Sequence, residues 1–402
     1  MPELIGIDEA RERVLAEIWS PAVENVPLTG ALGRVLATDV TSAGDVPPFD
    51  SSAMDGFAVA TTAAGELRLA GESRAGRPAG VSVEPGTAMA ISTGAAIPTG
   101  TVAVVPVERA AAAGDVVRIE QVEPGANIRR AGEDMRAGAV VLRAGLELGP
   151  AALGVLAGSG LAAAPCARRP RVALAATGDE LTEPGEALGP GRIWSSNPLA
   201  LAGQIARAGG ELVASRTVPD DPEATHDALA AALEAADVVC VSGGVSVGAH
   251  DHVKGALERL GVVPRFWGVA LRPGKPTWFG VARRGTYRGL VFGLPGNPVS
   301  AMVTFQLFAR PALRALQGAD PRPRTASAVL EQPVRRAAAR EQAVRCALSA
   351  HDDGWHATPT GPQGSHVLTS MLGADALAMV PRGSGELAAG ERVRIELLAG
   401  TV

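Results

Sequence analysis

The sequence predicts a multidomain α/β protein, with a Rossmann-like α/β domain, an inserted β-rich domain and a C-terminal β-domain. Three observations carry this. Between Arg171 and Leu294, apolar strand-like runs alternate with helical patterns, as βαβ units and a mostly parallel sheet require. From Pro47 to about residue 140 the chain reads instead as short strands separated by Gly and Pro turns. Past the linker Asp320-Pro321-Arg322-Pro323, strand-like segments return without helical patterns between them. A chain of 402 residues has room for two to four such domains and a large core.

Taken in order, Asp8 can cap a first helix whose apolar face is Ala10, Val14, Leu15 and Ile18, ending by Pro21. The segment PPFDSSAMDGFAV (Pro47–Val59) is an ordered loop running into a strand, and LRLAG, TAMAIST, VAVVPVE and DVVRIE are the strands that follow. Asp55, Thr93 and Asp134 fall at the loops, where each alone is as well explained as a turn residue. Ala137–Leu142 is a strand and Pro150–Gly160 a small-residue helix. RVALAAT (Arg171–Thr177) and DVVCV are buried strands and ELVASRTV is the second strand of the series, joined by helices beginning at Asn197 and residue 223. VSAMVTFQLFARPALRAL is a long apolar helix, and TASAVLEQPV, EQAVRCALSA, DALAMVPRG and ERVRIELL are the C-terminal strands.

The chain is organised around Asp237–Lys254. There a strand runs into Ser242-Gly243-Gly244 and a helix pattern starts near Asp251. Glycines admit close backbone approach to a ligand, and helix N–H groups face its negative charge. The same string also serves as a plain tight turn. Glu180, Asp220, Asp221 and Asp251 all lie past the carboxyl ends of predicted parallel strands. Each could be a helix cap. Together, carboxylates converging on one rim call for a cation, and oxygen donors without a Cys or His pattern point to Mg²⁺ over zinc. Arg272-Pro273-Gly274-Lys275-Pro276 and Gly296-Asn297-Pro298-Val299-Ser300 are anion-site candidates, the second also readable as a rigid helix start.

Composition narrows the classes. A net charge of −5 argues against a nucleic-acid-coating surface. No apolar run reaches the roughly eighteen residues of a membrane span, and the first residues lack a signal-peptide layout. Three scattered cysteines (Cys166, Cys240, Cys346) suit a reducing, cytoplasmic setting. Of 37 basic residues only Lys254 and Lys275 are lysines. Against that bias both stand out, and both lie in glycine-containing stretches. Asn127, Asn197 and Asn297 are similarly conspicuous in candidate loops.

In PPFDSSAMDGFAV, NIRRAGEDMRAGAVVL, ATGDEL, SGGVSVGAHDHVK, RPGKP, GLPGNPVSA and GPQGSHVL, in this order over nearly the whole chain, the sequence resembles the molybdopterin molybdenumtransferase family, the MoeA proteins and gephyrin E domain. The resemblance implies a homodimer with clefts shared between subunits and four domains. These would be 22–45 with 137–167, 46–136, 1–21 with 168–317 (molybdopterin-binding), and 318–402. It implies Mg²⁺-dependent cleavage of adenylylated molybdopterin, release of AMP and transfer of molybdenum from molybdate. A molybdopterin adenylyltransferase would be a partner, with no nucleic acid or membrane involved. By resemblance Asp55, Thr93, Asp134, Glu180 and Asp251 are catalytic, with Glu180, Asp220 and Asp251 holding the metal and Asp221 near the pterin. Ser242, Gly243 and Gly244 would take the pterin phosphate. Arg272, Pro273, Lys275, Asn297, Ser300, Arg345 and Ser365 would line the oxyanion pocket. Three positions depart from the family pattern: Gly268 stands for a lysine, Arg272 for another, and Ser195 for an aspartate. Two rival readings share the fold, an adenylyltransferase and a non-enzymatic scaffold.

Overall fold

The computed structural model describes residues 4–244, 252–284 and 287–398. The chain divides into two units, one formed by residues 1–23 and 167–402, the other by residues 24–166.

In the second unit, a six-stranded sheet runs in the order Ala103–Pro106, Gly56–Val59, Thr87–Ile91, Gly65–Ser73, Val116–Ile119, Ala110–Ala113. Phe57, Val59, Leu67, Val105, Val117 and Ile119 pack one face, and Ala58, Met89 and Val104 the other. Strand residues alternate between the faces, so a strand buried on both reads as the unbroken apolar run GFAV. A separate small core gathers Leu36, Val40, Leu148, Leu156 and Cys166, where the helix Pro150–Gly158 packs.

The first unit contains the predicted α/β sheet. After α1 (Ile7–Leu15), the chain builds β1 (Arg171–Thr177), α2 (Asn197–Arg207), β2 (Glu211–Val218), α3 (Pro222–Ala235) and β3 (Val238–Ser242). Then follow α4 (His252–Arg259), β4 (Val262–Trp267), β5 (Trp278–Arg284), β6 (Tyr287–Leu294) and α5 (Pro298–Thr304). The sheet order is β2-β1-β3-β6-β5-β4, with β2, β1, β3 and β6 parallel and β5 antiparallel to both its neighbours, β6 and β4. Hydrophobic clusters cover both faces. One contains Leu174, Cys240, Phe279 and Phe292, the other Val239, Val241, Val253 and Val291. Leaving β1 for one neighbour and returning to β3 on the other side creates a topological switch point, where such sheets bind ligands beyond their carboxyl ends.

Two local expectations change. Asp8 does not cap α1: the N-cap is Gly6, and Asp8 sits in the first turn, its Oδ1 3.6 Å from Arg11 Nη1. The long C-terminal helix runs unbroken from residue 298 to 315, but its middle is π-helical. A π-turn at Phe305–Ala309 joins α5 to the helix Arg310–Ala315. Pro311 explains it, because its ring conflicts with the carbonyl four residues back, that of Leu307. That carbonyl instead accepts from Arg11 Nε at 3.0 Å.

The C-terminal strands close on themselves. Glu341–His351 pairs with Gly354–Pro359 on one side and Ala376–Val380 on the other, and Thr325–Leu330 and Arg392–Leu397 complete the ring. Ala328, Val344, Cys346, Ala357, Val393 and Ile395 fill it. Leu271–Arg272 adds a short parallel strand to Glu341–Gln342. On this domain's surface His356 is held at Nδ1 by Glu331 and at Nε2 by Asp353 Oδ1 at 2.8 Å. The Glu331 hydrogen bond, then that of Asp353, raises its pKa above the usual histidine value. A raised folded-state pKa means the stabilisation is present below the ordinary value of about 6.5 and fades as pH rises through the folded one. His356→Gln should therefore lower the melting temperature at pH 6 and leave it unchanged at alkaline pH, as a melting series across pH would record.

Candidate active site

The carboxyl ends of the four parallel strands deliver Thr177, Val218, Ser242 and Leu294 to one edge of the sheet. The loops that follow them line a cavity of about 740 Å³ with Gly178, Glu180, Asp220, Ser242, Gly243, Gly244, Gly296 and Asn297. Gly243 and Gly244 are required here. Their φ values are +92° and +61°, and a Cβ on Gly243 would lie 2.7 Å from the Thr177 carbonyl oxygen. Gly243 donates its N–H to Leu294 O at 3.1 Å, tying the turn to the neighbouring strand end. Asn197, the first residue of α2, donates through Nδ2 to Ser242 Oγ at 2.8 Å and to Gly296 O at 2.7 Å. One amide thus holds two of the cavity's loops in register.

Acidic residues divide by geometry. Glu180 and Asp220 line the cavity. Asp220 N–H donates to Asp179 Oδ1 at 3.1 Å, joining the loops after β1 and β2. Asp221 turns instead to α3, where its Oδ1 accepts from the N–H groups of Glu223 and Ala224. It is a helix cap, and it does not line the cavity. Asp251 lies outside the described residues. Two oxygen donors beside glycine loops fit Mg²⁺, which commonly takes one or two carboxylates and fills its octahedron with water and substrate phosphate.

A second cavity, of about 380 Å³, is lined by Arg272, Pro273, Lys275, Ser300 and Ser365. It shares Pro276, Pro295, Asn297 and His366 with the first. Among the described residues its charged lining is cationic, Arg272, Lys275 and Arg340, with no carboxylate among them. Arg340 was not anticipated. Pairing of Leu271–Arg272 with Glu341–Gln342 sets it beside the Arg272 turn. Thus three cations line this cavity, although Gly268 supplies none. Asn297 occupies the N-cap of α5, yet its side chain donates to Ser365 Oγ at 3.0 Å, and Val299 N–H donates to Ser365 O. Ser365 therefore engages groups that the sequence left free for an anion.

Arg345 stands behind this wall. It is 1% exposed, and its guanidinium donates to Ser370 Oγ and Gly364 O. Burial lowers its pKa to about 10. It props the 361–370 loop and does not line the cavity. Lys254 does not line either cavity; its Nζ lies 4.4 Å over the Trp267 ring.

The remaining candidates belong to the other unit. There Ser51–Ser52 pairs with Ile128–Arg129, and Gly94 N–H donates to Ser52 O, lacing three loops together. Asp55 Oδ1 accepts from Thr93 N–H at 2.7 Å. Asp134 N–H donates to Val46 O, and its side chain is exposed. Besides Arg340, sequence reasoning missed Thr177, Trp194 and His366 as cavity residues, and marked Ser195 only as a departure from the family pattern. Only the position of Thr177, at the end of an apolar run, offered a signal.

Comparison with known proteins agrees with this architecture throughout. Residues 5–160 match the MoeA N-terminal region (domain I and II), residues 173–315 a probable molybdopterin binding domain, and residues 327–398 the MoeA C-terminal region (domain IV). A molybdopterin molybdenumtransferase of Haemophilus influenzae is 36% identical, over 98% of both chains. Molybdopterin molybdenumtransferase 2 of Mycobacterium tuberculosis is 40% identical over 96% of this chain and 98% of its own. A crystal structure of the molybdopterin biosynthesis MoeA protein of Pyrococcus horikoshii OT3 superimposes with a TM-score of 0.83 at 31% identity, covering 98% of this chain and all of that one. With the full length matched in sequence and in fold, the chain belongs to the molybdopterin molybdenumtransferase (MoeA) family, a family of transferases.

Proposed function

We propose that the protein inserts molybdenum into adenylylated molybdopterin, releasing AMP in a Mg²⁺-dependent reaction that yields molybdenum cofactor. The observation that carries this is the pair of adjoining cavities, one with carboxylates and glycine loops, the other cationic, sharing Asn297 and His366. A pyrophosphate-linked nucleotide suits the first, since glycine turns approach phosphates closely. Molybdate, a tetrahedral dianion, suits the second, where Arg272, Lys275 and Arg340 supply charge and Ser300 a hydroxyl. The shared walls support this reading, in which the oxyanion sits next to the bond that is cleaved.

Glu180 and Asp220, with Asp251, would hold Mg²⁺. When bound, it supplies charge neutralisation on the phosphates and polarises the adenylyl phosphoryl group. Ser242, Gly243 and Gly244 bind the pterin phosphate, the glycines letting backbone approach it. Asp55, Thr93 and Asp134 complete the catalytic cleft in a homodimer. The reading places the reaction in the cytoplasm, downstream of a molybdopterin adenylyltransferase.

The test is AMP release from adenylylated molybdopterin, with Mg²⁺ and molybdate each present or omitted. AMP is expected only with both, and Asp220→Ala should cut it at least about a hundredfold. Asp220 is exposed, so the variant should keep its fold. AMP formed without oxyanion, or equally well by the variant, would overturn the reading.

A further inference from the structure

The lip of the larger cavity is apolar. Ile193 and Trp194, each 54% exposed, both line it. An indole half in water at a cavity mouth is a costly place for an apolar ring unless something covers it. Its placement is not loose. Ile193–Trp194 forms a parallel pair with Leu181–Thr182, the segment directly after Glu180. Ile193 N–H donates to Glu180 O, and Ser195 N–H to Thr182 O, both at 2.8 Å. Arg192 clamps the same pair, through Nε to Thr182 Oγ1 at 2.9 Å and Nη2 to Leu181 O at 2.8 Å. The indole Nε1–H donates to Glu186 O at 3.0 Å. The ring's one polar atom is therefore satisfied and its orientation fixed, while the residue stays half exposed.

A second observation at the same cavity points to a ligand. Ser195, which follows Trp194, is 3% exposed, and its Oγ is buried with no hydrogen-bond partner among the described residues. Thr177 Oγ1 is likewise buried and unpartnered. Buried polar groups are seldom left this way, and both residues line the cavity.

We propose that Trp194 is the platform on which a flat heteroaromatic ring of the substrate stacks, with the Ser195 hydroxyl bonding that ring's polar edge. This rests on the proposed function, because adenylylated molybdopterin carries two such rings, pterin and adenine. A rigid indole loses little entropy on stacking, and its face accepts any π-system, so the contribution goes to binding rather than to bond cleavage.

The experiment measures AMP release by wild type, Trp194→Ala and Trp194→Phe, with AMP and neopterin phosphate as inhibitors. Trp194→Ala should raise KM about tenfold with kcat nearly unchanged, and Trp194→Phe should recover most of the loss. If adenine is the stacked ring, the inhibition constant for AMP rises with KM; if pterin is, that for neopterin phosphate rises instead. An unchanged KM in Trp194→Ala overturns the platform while leaving the proposed reaction standing. So does a change of oligomeric state with unchanged affinity, which would make the lip a contact between copies. Calorimetry with adenylylated molybdopterin separates the two failures. Wild type that binds without releasing AMP defeats the proposed reaction, yet the affinity ratio of wild type to Trp194→Ala still decides the platform. Wild type that does not bind overturns both.

Discussion

Replacing Lys275 by alanine should abolish most oxyanion-dependent AMP release while leaving the protein folded and able to bind adenylylated molybdopterin. Lys275 is exposed in the second cavity, so its removal opens no void. What it removes is one of three positive charges facing a space that no carboxylate lines among the described residues. A dianion there loses a charged partner in a partly desolvated site. Single donors in such sites are worth about 10² to 10³ in rate. Most of the loss should appear as a raised KM for molybdate, because a fixed cation binds the oxyanion before reaction as well as during it. Lys275→Arg should not restore full activity, since a planar fork cannot occupy the place of a compact ammonium beside Pro276. The measurement is AMP release against molybdate concentration for the three proteins. A molybdate dependence identical in wild type and Lys275→Ala would mean that the oxyanion binds elsewhere.

The same lysine shows what the sequence could reveal. In a chain whose basic residues are nearly all arginine, Lys275 stood out, and it lines a cavity; Lys254 stood out equally, and it packs over Trp267. Compositional surprise identifies a position under constraint without saying which constraint. The asparagines behave alike. Asn127 holds a left-handed turn at φ 57°, Asn197 bridges two cavity loops and Asn297 anchors Ser365.

The strand Arg171–Thr177 was legible because burial on both faces removes polar residues, whereas Glu211–Val218 is a largely exposed edge strand. Arg171–Thr177 and Glu211–Val218 have the predicted bounds. Their carboxyl ends then located the cavity through topology alone. The roles of Arg340 and Arg345 were not legible. Both fall in one segment, and which of them reaches the cavity depends on Leu271–Arg272 pairing with residues 341–342. No local period encodes a contact so distant in sequence. Asp220 and Asp221 present the same problem at shorter range: neighbouring carboxylates, one lining the cavity and one capping α3.

For stability, the largest expected effect is at Arg11. Its guanidinium makes a bidentate pair with Glu396, Nη1 to Oε1 at 2.9 Å and Nη2 to Oε2 at 2.6 Å, while Nε serves Leu307 O. Glu396 is 2% exposed. Among the described residues, Arg11→Ala would leave that carboxylate buried with only the Arg394 guanidinium near, at 3.8 Å, and Leu307 O without its donor. Breaking a buried pair from one side typically costs about 3–5 kcal/mol. Removing both charges, as in Arg11→Met with Glu396→Leu, should cost far less, because the penalty lies in the unpaired charge rather than in the lost attraction. Denaturant midpoints of the single and double variants decide this. Pro311 supplies a further check. Since its missing N–H and its ring are what release Leu307 O to Arg11, Pro311→Ala offers that carbonyl a helical donor. In that background Arg11→Ala should be milder by about 1 kcal/mol, the net worth of one hydrogen bond. Strict additivity of Arg11→Ala and Pro311→Ala would show that the π-turn and the arginine are independent.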